Sequence, residues 1–176
     1  MIKLEKFSYN FAEEVLNSRK YLKDEIEYVI ENTIKHYESE GLDKLTSKNL
    51  NKSLRQSFED KRWDSEPYVF EDEELPDQPK AKLDFLKDRI GIEAEFGHSS
   101  FLGIDLLKLQ VASTSGTDQI DVGVYITATK RLQKRLRDDH NLKWEGRLDY
   151  EKVSKYLPHF KNVIHVPIYV IGIDIQ

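Results

Sequence analysis

The chain has no cysteine, one methionine, five prolines and eight glycines in 176 residues. Without thiols there is no disulfide framework, no thiolate metal site and no cysteine nucleophile, a composition suited to a reducing cytoplasm. No apolar stretch approaches membrane-spanning length and none follows a basic start, so neither insertion nor secretion is expected. An excess of positive charge is missing too. The net charge of −5 argues against indiscriminate coating of nucleic acid. A local basic surface nevertheless suffices for DNA binding, and acidic residues elsewhere can offset it. Internal repeats and low-complexity tracts are absent. The length fits a single domain over residues 1–176, large enough to bury a core without staples.

What is present begins with a short strand within residues 1–9 and a helical turn or two over 11–16. Tyr21, Leu22, Ile26, Val29, Ile30 and Ile34 then recur at three- and four-residue intervals, predicting a long amphipathic helix with Gly41 as a left-handed cap. Thr46 or Ser47 can cap the next helix, whose Leu50, Leu54 and Phe58 share a face. Its Lys48, Lys52 and Arg55 can meet phosphates, though taken singly they read as a solvated face. From Asp64 to Pro79 the chain turns acidic and proline-containing (Glu71-Asp72-Glu73-Glu74, Pro76, Pro79), predicting a loop or connector.

The informative stretch follows. Ile90, Ile92, Ala94 and Phe96 alternate with Gly91, Glu93 and Glu95, the two-residue period of a strand with one buried face. Glu93 and Glu95 therefore project together, about 7 Å apart at the Cα atoms. Upstream, Leu83 and Phe85 bracket Asp84, and Lys87-Asp88 reads as a two-residue turn between antiparallel strands. That turn sets Asp84 opposite Gly91, on the same face as both glutamates. Three carboxylates on one face repel and raise one another's pKa unless they are solvated or hold a divalent cation, and oxygen-only ligands favour Mg²⁺ or Mn²⁺. On spacing alone, outward glutamates on an alternating strand are more often just a solvated sheet face.

Beyond the turn at Gly97-His98, Ser99 or Ser100 can cap a helix over residues 101–111. Its Phe101, Leu102, Ile104, Leu106, Leu107 and Leu109 cover too much of the circumference for one core face, so a second buried contact, such as a subunit interface, is expected. A polar loop over 112–119 precedes Ile120, Val122, Val124 and Ile126, the next strand. Then comes a basic run that includes Lys130, Arg131, Lys134 and Arg135, suited to a phosphate backbone or to a solvated helix face. A helix over 149–157 ends at Pro158, and residues 163–173 form a last strand, where Pro167 suggests an edge or irregular pairing. This order predicts a mixed α/β fold with a central sheet flanked by helices.

Leu83-Asp84, a short turn, then Glu93-Ala94-Glu95 in a hydrophobic strand resembles the PD-(D/E)xK nuclease motif, with Glu95 in place of the final lysine. That replacement is similar to the BamHI and BglII type of restriction endonuclease, whose third position can be Glu or Gln. The likeness to the BglII type extends to Ile2-Lys3-Leu4 through Asn17, to Phe96 and Phe101-Leu102, to residues 122–130, and to Asn162-Val163-Ile164-His165-Val166-Pro167-Ile168 through Gly172. Two departures bear on DNA recognition. The chain stops at Gln176, where the BglII enzyme continues into an extension that helps enclose DNA, and Gly97-His98 replace its polar pair.

The resemblance implies a restriction-endonuclease-like fold and Mg²⁺-dependent cleavage of double-stranded DNA, with Mn²⁺ able to substitute. Asp84, Glu93 and the Ala94 backbone carbonyl would hold the metal, and Glu95 would orient or deprotonate the attacking water. A homodimer would cut both strands of a palindrome, the family suggesting a GATC centre. The carboxylate triad leaves the developing charge without a lysine to neutralise it. His98, Ser99, Ser100, Thr114, Ser115, Lys130, Arg131, Lys134 and Arg135 are the expected DNA contacts. Rival readings are a low-specificity or structure-selective nuclease of the same fold and a non-catalytic DNA- or partner-binding module that retains it.

Overall fold

The computed structural model describes residues 2–69, 81–114, 116–144 and 147–175. Of the predicted connector, residues 70–79 lie outside the described residues, as does Ser115, while its start, Asp64–Ser65, forms a short strand rather than a loop. Among the described residues, six strands form one mixed sheet: β1 (Ile2–Tyr9), β2 (Asp64–Ser65), β3 (Phe85–Lys87), β4 (Ile90–Ala94), β5 (Val122–Ala128) and β6 (Ile168–Ile175), in the spatial order β1-β6-β5-β4-β3-β2. The β4-β5-β6 centre is parallel and the remaining pairs are antiparallel.

Helices cover both faces: α1 (Ala12–Asn17), α2 (Lys20–Glu40), α3 (Ser47–Asp60), α4 (Leu102–Ala112), α5 (Lys130–His140) and α6 (Tyr150–Tyr156). Strand alternation sorts the core. Val122, Val124 and Ile126 of β5 pack with the apolar stripes of α2, α3 and α5, while Tyr125 turns to the other side with Leu106 and Leu109 of α4 and Val153 of α6. The α2 stripe is buried as its spacing predicts, and Thr46 caps α3 through its Oγ1, which accepts from the Asn49 amide at 3.1 Å.

Several boundaries differ from expectation for identifiable reasons. Gly41 ends α2 at φ 119°, ψ 123°, positive in φ but extended in ψ, outside the left-handed helical region expected for it. The hairpin turn is Asp88-Arg89, not Lys87-Asp88: both residues have positive φ (45° and 65°), as a twist-matched two-residue turn requires. Leu86 therefore faces Gly91, and Asp84 lies in line with Glu93 rather than Gly91. The register moves by two residues, so every side chain keeps its predicted face.

β6 is an interior strand between β1 and β5, not an edge. Pro167 sits one residue before it, where its carbonyl accepts from Gly123 at 2.8 Å and no amide donor is needed. The helix expected to end at Pro158 instead passes into a 3-10 turn, Leu157–Phe160, that contains the proline. No described helix is long and apolar enough to cross a membrane.

Candidate active site

At the C-terminal end of β4, a cavity of about 250 Å³ opens between α3 and α4. Asp84, Glu93, Ala94 and Glu95 form its floor, Asp105 and Lys108 of α4 one wall, and Asn51, Lys52 and Arg55 of α3 the other. The hairpin brings Asp84 beside the strand end, where its Oδ2 accepts from the Ala94 amide at 2.7 Å. α4 can lie close to the sheet because residue 123 is glycine: a Cβ there would come within 2.9 Å of Leu109 Cδ1. That close approach puts Lys108 Nζ 2.7 Å from Glu93 Oε2 and 3.1 Å from Asp105 Oδ1. Tyr125 Oη donates to the other Asp105 oxygen at 3.0 Å.

The electrostatics of this cluster are unbalanced. Burial raises the pKa of Asp84, Glu95 and Asp105 above the usual carboxylate range. Burial, and next the neighbouring Asp84 charge, pushes Glu93 up to about 9 against the pull of Lys108. Burial works against the Lys108 ammonium, but the Glu93 and Asp105 carboxylates together outweigh it and hold the lysine above its ordinary value. Four carboxylates thus share one buried ammonium. Glu93 Oε1 is buried without a hydrogen-bond partner, an expensive state for a carboxylate oxygen unless something positive meets it.

These residues fit a hard divalent cation: the donors are all oxygen, and one of them, Glu93 Oε1, is buried without a partner. Among the described residues, no three His, Asp or Glu side chains close into a ready-made ligand shell. Mutual repulsion accounts for this spread, as does the turning of Glu95 back onto the Gly97 amide, which donates to its Oε1.

The other predicted residues divide sharply. His98, Ser99 and Ser100 follow directly from the carboxylate strand, but they precede α4 as a capped 3-10 turn, Ser99–Phe101. The cap is His98, whose Nδ1 accepts from the Ser100 amide at 3.2 Å, rather than either serine. Thr114 lies beyond the far end of α4, beside Asp118, Asp121 and His165 in a separate cavity, with about 10 Å of helix between Asp105 and that end. The structure does not bring it to the site. α5 starts where β5 ends, so Lys130, Arg131, Lys134 and Arg135 begin at the carboxylate end of the sheet. Of these, Arg131 pairs with the buried Asp174, and Arg135 lies 3.6 Å from Asp139. Lys130 and Lys134 are exposed.

Reading by sequence missed Asp105 and Lys108. The signal was there: two charged residues three apart inside an otherwise apolar helix, which places them on one side of it.

A mixed sheet with carboxylates gathered at the end of a central parallel strand, flanked by helices and opening on a cationic wall, is the architecture of a restriction-endonuclease-like nuclease. The profile of the Restriction endonuclease BglII/BglIII family matches residues 4–173, and the chain belongs to that family. It is accordingly a sequence-specific type II restriction endonuclease. Among solved structures, restriction endonuclease BglII complexed with a DNA 16-mer shares the fold, with a TM-score of 0.71 at 18% identity over 97% of this chain and 75% of that one. No curated protein sequence matches the chain.

Proposed function

We propose that the protein hydrolyses phosphodiester bonds of double-stranded DNA with Mg²⁺ held by Asp84, Glu93 and the Ala94 carbonyl, Mn²⁺ substituting, and that the working unit is a homodimer of single-domain subunits. The observation that carries this reading is the buried, unpartnered Oε1 of Glu93, a residue that lines a cavity together with Asp84 and Glu95. When bound, the cation supplies Lewis-acid polarisation of the scissile phosphate and a more acidic water. Glu95, half-buried and held by the Gly97 amide, can swing to orient that water or take its proton. Lys52 and Arg55 stand at the cavity wall where the DNA backbone would enter. Burial alone makes Asp84 and Glu93 poor anions, so the ligand set gains most from a cation and least from being left empty.

The dimer reading rests on α4. Ile104 and Leu107 are 53% and 45% exposed, and Leu107 joins Phe160 and Val163 around an apolar groove of about 190 Å³. A second copy docked on this exposed face would supply the second contact that the helix's apolar excess predicts, and a two-fold pair would cut both strands of a palindrome. A GATC-centred site follows from family likeness alone.

Digestion of supercoiled plasmid by purified protein with Mg²⁺ tests the reading. Discrete fragments are expected from the wild type and none from Asp84→Asn. A smear would favour a low-specificity nuclease, and equal cleavage by both proteins would end the assignment of this site.

A further inference from the structure

The third motif position, which in the common PD-(D/E)xK pattern is a lysine, holds Glu95 here, and the sequence offers no nearby cation on the strand. The fold supplies one from elsewhere. Lys108 projects from α4 into the same cavity as Asp84, Glu93, Ala94 and Glu95, and its side chain is only 16% exposed. We infer that Lys108 is a catalytic residue, the fixed cation of the site, taking over from a neighbouring helix the charge-neutralising role of the missing strand lysine. The inference rests on the metal-dependent nuclease reading above and names a member of that site.

Geometry separates Lys108 from the other cations lining the cavity. Arg55 lies 3.0 Å from Glu66 and is 43% exposed, a rim residue already engaged. Lys52 is on the exposed surface of α3. Lys108 alone is interior, and its contacts leave the ligand set usable: it takes Glu93 Oε2, while Glu93 Oε1 stays free for the divalent cation. Glu93 would thus be able to help hold a divalent cation while keeping its bond to the ammonium. Asp105, held by Tyr125 on its other oxygen, anchors the ammonium from behind.

In hydrolysis, the water oxygen gives a proton to Glu95 and forms a bond to phosphorus as the bond to the leaving sugar oxygen breaks. Negative charge grows on the phosphate oxygens and on that leaving oxygen, which takes its proton from solvent. Lys108 transfers no proton. It remains an ammonium and stabilises the accumulating charge, an interaction stronger in the transition state than before it.

The test compares wild type, Lys108→Met, Lys108→Gln, Lys108→Arg and Asp84→Asn. Single-turnover cleavage of supercoiled plasmid in Mg²⁺, binding of the same plasmid in Ca²⁺, and Mn²⁺ binding by electron paramagnetic resonance are measured for each. Cleavage by wild type and its loss in Asp84→Asn establish the nuclease reading separately. Given that, Lys108→Met and Lys108→Gln should cleave on the order of 100-fold or more slowly. Plasmid binding should change little and Mn²⁺ should bind as well or better, because a competing cation has gone. Lys108→Arg should recover a large part of the rate, as retained charge predicts. Should Lys108→Met fail to fold, Lys108→Gln, which can still hydrogen-bond Glu93, is read in its place. Near-wild-type cleavage by the neutral variants, or loss of Mn²⁺ binding in step with cleavage, would reduce Lys108 to a structural prop and overturn the inference.

Discussion

Glu93 carries the sharpest conflict in the molecule. It is 2% exposed, bonded through one oxygen to Lys108 and orphaned at the other, and its pKa stands near 9 instead of 4.5. A carboxylate whose folded pKa is raised binds a proton in the native state that the unfolded chain has already released. Native stability without metal should therefore fall as pH rises from about 4.5 towards 9. Melting temperatures in EDTA across that range are expected to decline, and millimolar Mg²⁺ should flatten the decline by replacing the proton. A profile that is flat in EDTA and unchanged by Mg²⁺ would mean that Glu93 is not a ligand. The same competition predicts that raising Mg²⁺ shifts the pH dependence of cleavage towards lower pH.

At the scale of elements, α4 is positioned by the absence of a side chain. Gly123→Val would drive its side chain into Leu109, lift α4 from β5 and separate Lys108 from Glu93. A destabilisation of about 1–3 kcal/mol is expected from overpacking, with a loss of cleavage larger than that accounts for at temperatures where the variant is folded. Denaturant midpoints beside cleavage rates would check this, and a rate that merely tracks stability would contradict it. Most elements were legible because their signals are local: the α2 stripe, the Thr46 cap and the alternation of β4 each follow from a handful of neighbouring residues. The carboxylate face was legible for the same reason and survived a two-residue error in register. What could not be read was convergence. Asp105 and Lys108 reach Glu93 only through a helix packed across the sheet, and nothing in their immediate neighbourhood says which strand they will meet. Pro167 misled because its missing amide matters only inside a ladder, and β6 begins one residue later.

At the scale of the whole molecule, the exposed apolar face of α4 is the surface most in need of a partner. Ile104→Asp with Leu107→Asp should leave the subunit folded, since neither residue belongs to the core, and should turn a dimer into a monomer by sedimentation. Such a monomer is expected to nick plasmid rather than linearise it. A wild type that sediments as a monomer while making double-strand breaks at low concentration would remove α4 as the interface.

One helix thus touches both problems. The flank of α4 that bears Lys108 and Asp105 adjoins the flank that bears Ile104 and Leu107, so whatever seats the second also steadies the first. If a second copy docks there, a solitary subunit carries its key cation on a rod seated against the sheet by one face only. It would then make a poor cutter until it meets its twin, a built-in safety catch for a protein capable of severing chromosomes.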